Sequence, residues 1–170
     1  MVIWLIGLSG SGKSTIGRHL VNHWQKIEKN TVIVDGDEVR EIFKNDADYS
    51  VDGRRLNNHR IVRICQWLDS QQINVVCCIL SIFPEQQNQN RTLFSNYFEA
   101  YIKVPMIELE KRDQKNLYSR AKTGQEKNVV GIDLEFVEPK NADIVIQNFG
   151  IDANPKTFAL DIFNTAKRLS

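Results

Sequence analysis

Apolar positions along the chain fall into two kinds of stretch. Short unbroken runs occur at Val2-Ile3-Trp4-Leu5-Ile6, at Thr31-Val32-Ile33-Val34 and over residues 73–81. They have the length and β-branched content of strands buried on both faces of a parallel sheet. Residues 98–104 alternate enough for a fourth strand, which Pro105 stops, and residues 142–147, around Asp143-Ile144-Val145-Ile146, make a last one. Between these runs the apolar residues recur at helical spacing. Ile16, Leu20, Val21 and Trp24 predict a helix over about residues 15–29, with Asn30 as its stop. Val39, Ile42 and Phe43 open a second helix, with Arg40 near its start, and a polar loop over 45–53 follows. Leu56, Ile61, Ile64, Cys65 and Leu68 give the apolar side of a third helix over 54–69. Phe83-Pro84 ends the third strand, 84–90 reads as a loop or helix start, 91–96 as a helix end, and 106–113 as a short helix. Asn154-Pro155 opens a terminal helix with Phe158, Leu160, Ile162, Phe163 and Ala166 as its packing side. Strands alternate with helices from end to end, so the pattern predicts an α/β three-layer sandwich, a parallel sheet with helices on both faces, as one domain over 1–170.

Composition narrows the partners. The net charge of +1 supplies no basic face for a nucleic acid polymer. The first apolar run is too short for a signal peptide and nothing approaches membrane-spanning length, so no membrane partner and a cytoplasmic setting are expected. Cys65, Cys77 and Cys78 sit inside apolar segments with no paired spacing, and read as small core residues in a reducing compartment.

The chemistry begins at the end of the first strand. Gly7-Leu8-Ser9-Gly10-Ser11-Gly12-Lys13-Ser14 matches the phosphate-binding P-loop, and the strand before it and the helix after it supply the context that motif requires. Glycines let successive backbone N–H groups converge on an anion, and the helix start adds its positive end. Lys13 can reach the β- and γ-phosphates and the Ser14 hydroxyl can ligate Mg²⁺. The motif therefore predicts a P-loop NTPase-type fold that binds a nucleoside triphosphate.

Asp35-Gly36-Asp37 follows the second strand, where open α/β sheets carry ligand residues. Two carboxylates there suit a metal–water shell and a base for a substrate hydroxyl, although a polar turn with a helix cap has the same composition. Arg54, Asn57 and Arg60 are spaced to share one helix face, as substrate ligands or as a solvated edge. The stretch from Asp113 to Ile132 carries Lys115, Arg120, Lys122 and Lys127, few large apolar residues, and Gly124 and Gly131. A mobile basic segment in that place suits a lid over phosphates, or an ordinary charged loop.

Together these pieces resemble the adenylylsulfate kinase family up to about Asn148. The matches are residues 7–15, ending in Thr15, and Asp35-Gly36-Asp37-Glu38-Val39-Arg40. They continue with Tyr49-Ser50, Arg54, Asn57, Arg60 and Ser81. Over about 113–134 a lid brings Arg112-Asp113, Lys115, Leu117-Tyr118, Ala121, Gly124, Lys127 and Gly131-Ile132-Asp133. The resemblance implies transfer of the ATP γ-phosphoryl group to the 3′-hydroxyl of a second nucleotide, with Mg²⁺, and a homodimer. By position it implies Asp37 as base and metal ligand beside Ser14, and Asp35 as a support for metal or substrate. Lys13, Arg112 and residues 7–15 would bind ATP. Arg40, Tyr49, Arg54, Asn57, Ser81, Lys127, Val129, Gly131 and Ile132 would bind the acceptor, Ser81 by a hydrogen bond or as a phosphorylated intermediate.

Departures from the family pattern gather around the acceptor. A Phe-Thr-Gly-Ile-Asp lid motif reads Val129-Val130-Gly131-Ile132-Asp133, so of two rings that sandwich the acceptor base only the one at Tyr49 is kept. The arginine after the third strand is absent from Ser81-Ile82-Phe83-Pro84, an arginine position beside Asn57 is His59, and Pro-Lys-Gly of the lid is Gln114-Lys115-Asn116. Two acceptors stand: adenosine 5′-phosphosulfate (APS), the family default, and cytidine diphosphoramidate, whose smaller base needs less aromatic cover and whose kinases serve capsule modification. A nucleotide-binding regulatory module without kinase activity is a third reading, against which Lys13, Ser14, Asp37 and the lid all count.

Overall fold

The computed structural model describes residues 1–169 and shows five strands and seven helices among them. In chain order these are β1 (Val2–Ile6), α1 (Lys13–Trp24), β2 (Thr31–Asp35), α2 (Gly36–Ile42) and α3 (Val51–Ser70). There follow β3 (Asn74–Ile79), α4 (Pro84–Leu93), β4 (Tyr97–Lys103), α5 (Met106–Arg112), α6 (Leu117–Lys122), β5 (Ile144–Gln147) and α7 (Pro155–Leu169). All strand pairs are parallel in the order β2-β3-β1-β4-β5. No described helix is long and apolar enough to cross a membrane.

Strand periodicity divides the core into two layers. Ile3 and Leu5 of β1 face one side with Ile16, Leu20 and Trp24 of α1 and Ala159, Ile162 and Phe163 of α7. Trp24 and Phe163 meet edge to face with ring centroids 5.7 Å apart. Val2, Trp4 and Ile6 face the other side with Val39 of α2 and Ile61, Val62 and Cys65 of α3. The three cysteines are buried and free. Because β1 is central, the loop that leaves its C-terminal end emerges at the middle of the sheet, where the topology puts ligands.

Several boundaries differ from expectation. α1 stops at Trp24 because the chain reverses there: the Gln25 side chain donates to the Thr31 carbonyl at 2.7 Å, and Thr31 Oγ1 donates to the Glu28 carbonyl at 2.7 Å. α3 starts earlier than predicted, since Ser50 caps it by accepting from the Gly53 amide at 3.1 Å. Leu56, placed on the apolar side, is exposed, and Val62 takes its share of the core. β3 ends at Ile79, short of Ser81, and α4 forms over the whole Gln/Asn-rich stretch with Pro84 in its first turn. Replacing Ser50 by Ala is expected to cost about 1 kcal/mol and to lower the thermal midpoint by roughly 2–4 °C, read by circular dichroism.

Candidate active site

The P-loop folds tightly because Gly10 and Gly12 sit in the left-handed region, at φ 75° and 92°. A Cβ on Gly12 would lie 2.4 Å from Nδ2 of Asn148, which donates to the Ser11 carbonyl at 2.7 Å. Lys13 Nζ folds back to the Leu8 carbonyl at 2.8 Å. Desolvation lowers its pKa to about 8, opposed by the neighbouring Cys78, Asp37 and Asp35. Arg112, at the end of α5, spans two carbonyls: Gly10 at 3.2 Å and Asn148 at 2.6 Å.

At the end of β2, Asp35 is committed twice. One oxygen accepts from the Ser14 hydroxyl at 2.5 Å and the other from the Asp37 amide at 3.0 Å, which caps α2. Asp37, two residues on in the first turn of α2, is exposed, and its side chain has no hydrogen bond or ion pair. The Ser14 hydroxyl beside a carboxylate is a hard-oxygen donor set of the kind that suits Mg²⁺.

The next loop and α3 supply the cations. The buried Arg40 donates from Nη1 to the Ala47 and Asp48 carbonyls at 2.6 and 3.0 Å. Arg54 donates to the Tyr49 carbonyl at 2.9 Å and to the Asn128 carbonyl of the lid at 2.8 Å. Burial, then the charge of Arg40, lowers the Arg54 pKa. The exposed Tyr49 ring lies against both guanidinium groups, 4.6 Å from Arg40 and 5.5 Å from Arg54. Asn57 donates to the Gly36 carbonyl at 3.1 Å, and its buried Oδ1 has no partner. Arg60 leaves this group: it forms a two-armed pair with Asp46 at 2.6 and 2.8 Å and lies over the Phe43 ring.

The lid is folded rather than an open basic loop. After a single 3-10 turn over Gln114–Asn116 comes α6, and Tyr118, Val129, Val104 and Leu109 close a small apolar core with Leu8 and Ile132 against it. The spacing of Leu117, Tyr118 and Ala121 accounts for the buried side of α6. Asp133 staples the turn before Gly131, accepting from the Asn128 and Val129 amides at 2.6 and 2.5 Å. Gly131 itself is at φ 94° and bonds to Leu134. Lys127 is exposed. Val129 is buried in the lid core, so its side chain does not line an opening.

The structure therefore gathers Lys13, Ser14, Asp35 and Asp37 at the ends of β1 and β2, with Arg40, Tyr49, Arg54 and Asn57 on the neighbouring loop and helix. Ser81 stands differently. It is buried at φ 54°, and the Gln87 side chain donates to its carbonyl at 3.1 Å and to its hydroxyl at 3.3 Å. Two residues at the P-loop carry no role in the sequence reading: Tyr118, whose hydroxyl donates to the Ser9 carbonyl at 2.8 Å, and Asn148. Neither has a local signal, because their partners are 109 and 137 residues away. A cavity of about 310 Å³ beside α4, lined by Arg91, Glu99 and Asn141 among others, shares no residue with the P-loop.

Comparison with known proteins agrees with this geometry. The sequence model of the adenylylsulphate kinase family matches residues 1–147. A cytidine diphosphoramidate kinase of Campylobacter jejuni subsp. jejuni serotype O:2 is 42% identical over 147 residues, 86% of this chain and 85% of that protein. An adenylyl-sulfate kinase of Bacillus velezensis is 34% identical over 149 residues, 86% of this chain and 76% of that one. Among solved structures, the Mycobacterium tuberculosis APS kinase in complex with AMPPNP and APS superposes with a TM-score of 0.83 at 27% identity, covering 98% of this chain and 96% of that one.

Proposed function

Since the chain belongs to the adenylylsulphate kinase family, we propose that it transfers the γ-phosphoryl group of ATP to the 3′-hydroxyl of a nucleotide with a modified 5′-phosphate end, cytidine diphosphoramidate. The observation that carries the reading is the unengaged Asp37 carboxylate near Lys13 at the mouth of the P-loop. In this reading Asp37 accepts the proton of the 3′-hydroxyl. The hydroxyl oxygen forms a bond to the γ-phosphorus, the bond from that phosphorus to the β–γ bridging oxygen breaks, and ADP leaves. Lys13, released from the Leu8 carbonyl, meets the β- and γ-phosphates. Ser14 and Asp35, with Asp37, would hold Mg²⁺, which would supply neutralisation of phosphate charge. Arg112 and the residues from Gly7 to Thr15 receive ATP. Arg40, Arg54, Asn57, Tyr49 and Lys127 receive the acceptor, with Gly131 and Ile132 shaping the lid above it. The unpartnered Asn57 Oδ1 suits a hydroxyl donor from the ribose. Ser81, held by Gln87, positions the chain after β3.

The acceptor base follows from the rings. Tyr49 offers one aromatic face beside two arginines, while Val129 is committed to the lid core. Loss of a stacking ring removes about 1–3 kcal/mol from binding of a base, and a pyrimidine has less surface to cover than a purine. The 42% identity to the cytidine diphosphoramidate kinase, against 34% to the Bacillus enzyme, favours the same choice. APS is the second reading, supported by the fold shared with the kinase whose structure contains it.

Turnover of ATP with each acceptor, measured side by side by coupled ADP release, tests the choice. The expected result is a kcat/KM at least about fivefold higher for cytidine diphosphoramidate, the lower end of one lost stacking contact. A higher value for APS makes Val129 a tolerated variant in a sulfate-activating kinase. Turnover of neither overturns the acceptor class.

A further inference from the structure

A phosphate nest needs its backbone N–H groups turned inward, and each trans peptide then turns a carbonyl outward. Outward carbonyls packed against protein require donors. The P-loop meets that requirement at three consecutive residues. The Ser9 carbonyl takes the Tyr118 hydroxyl at 2.8 Å, Gly10 takes Arg112 at 3.2 Å and Ser11 takes Asn148 Nδ2 at 2.7 Å. All three donors come from outside the loop, from α6, the end of α5 and the residue after β5. Tyr118 is 1% exposed and Asn148 6%, and the Tyr118 amide is itself held by the Asp113 carboxylate at 2.8 Å.

We propose that Tyr118 and Asn148 are positioning residues for the phosphates of ATP, acting through the outer edge of the P-loop; this deepens the kinase reading and rests on it. The plane that carries the Ser9 carbonyl carries the Gly10 N–H on its opposite edge, and the plane of the Ser11 carbonyl carries the Gly12 N–H. A donor on each carbonyl prevents the peptide from turning over and so keeps those two N–H groups aimed inward. Tyr118 also belongs to the lid core with Val104, Leu109 and Val129. Docking of the lid helix and the shape of the phosphate nest are therefore one arrangement.

The variants are Tyr118→Phe, which keeps the ring in its apolar core, and Asn148→Asp, which keeps shape but sets an oxygen against the Ser11 carbonyl. ATP, ADP and AMP binding is measured by calorimetry, with thermal midpoints alongside. Expected for Tyr118→Phe is a roughly five- to tenfold loss of ATP and ADP affinity, the scale of one hydrogen bond, with AMP changed less than twofold. Asn148→Asp should lose more, with the same contrast. A purely packing role would weaken AMP as much as ATP, and that result overturns the proposal. So does ATP affinity within twofold of the parent in both variants. If one variant does not unfold cooperatively, the other decides. Parent turnover is a separate readout: its absence strikes the kinase reading, whereas the ATP-against-AMP contrast judges the nest alone.

Discussion

Asp37→Asn is expected to lower kcat by about a thousandfold, the middle of the range for a general base, with stability and the affinity for metal-free ATP kept. The Asp37 side chain holds no partner, so the exchange leaves no orphaned donor or acceptor behind. Substitutions at such exposed positions usually stay within about 0.5 kcal/mol of the parent. Asp35 differs, since it bonds both the Ser14 hydroxyl and the Asp37 amide, so Asp35→Asn should damage structure and chemistry together. The measurement is steady-state turnover with the better acceptor, paired with calorimetry of metal-free ATP. A thousandfold loss at unchanged affinity for metal-free ATP assigns the proton transfer to Asp37. Unchanged turnover removes it from that role and leaves phosphate positioning by Lys13 and the loop to account for the rate.

The sheet and the P-loop were legible because local pattern and tertiary role agree there. The apolar run at Val2–Ile6 is central in the sheet, and Gly10 and Gly12 after it sit at positive φ, as the phosphate motif needs. Asp35 and Asp37 were legible as a pair, yet their division of labour was not. The Asp35 bonds to the Ser14 hydroxyl and the Asp37 amide show that one is committed and the other open. Leu56 misled because helical spacing places a residue on a face without saying how far the core reaches. Arg60 misled similarly: it shares spacing with Arg54 and Asn57, but Asp46 on the preceding loop captures it. The lid read as a mobile basic stretch since it carries four lysines and arginines, two glycines and few large apolar residues. Its order comes from Tyr118 and Val129 packing on Val104 and Leu109, contacts that link separate elements. Tyr118 and Asn148 lay beyond reach for the same reason, as each completes a loop more than a hundred residues away.

The second large effect is expected at Gly12. Gly12→Ala should reduce ATP affinity by more than about a hundredfold, since strain and a steric clash fall on the same spot. At φ 92° an L-residue costs roughly 1–2 kcal/mol in the left-handed region. The clash costs more, because the new methyl would sit 2.4 Å from Asn148 Nδ2 and displace the donor that holds the Ser11 carbonyl. Gly124→Ala separates backbone strain from clash. Gly124 is at φ 73° with nothing within 4 Å of an added Cβ, so that variant should lose about 1–2 kcal/mol of stability and keep ATP affinity. Adding Asn148→Ala to Gly12→Ala should then recover part of the thermal midpoint by making room, while ATP affinity stays low because Ser11 still lacks its donor. Recovery of both together would show that Asn148 only fills space. Recovery of stability alone would show that the nest depends on what holds its carbonyls as well as on the glycines that let it fold.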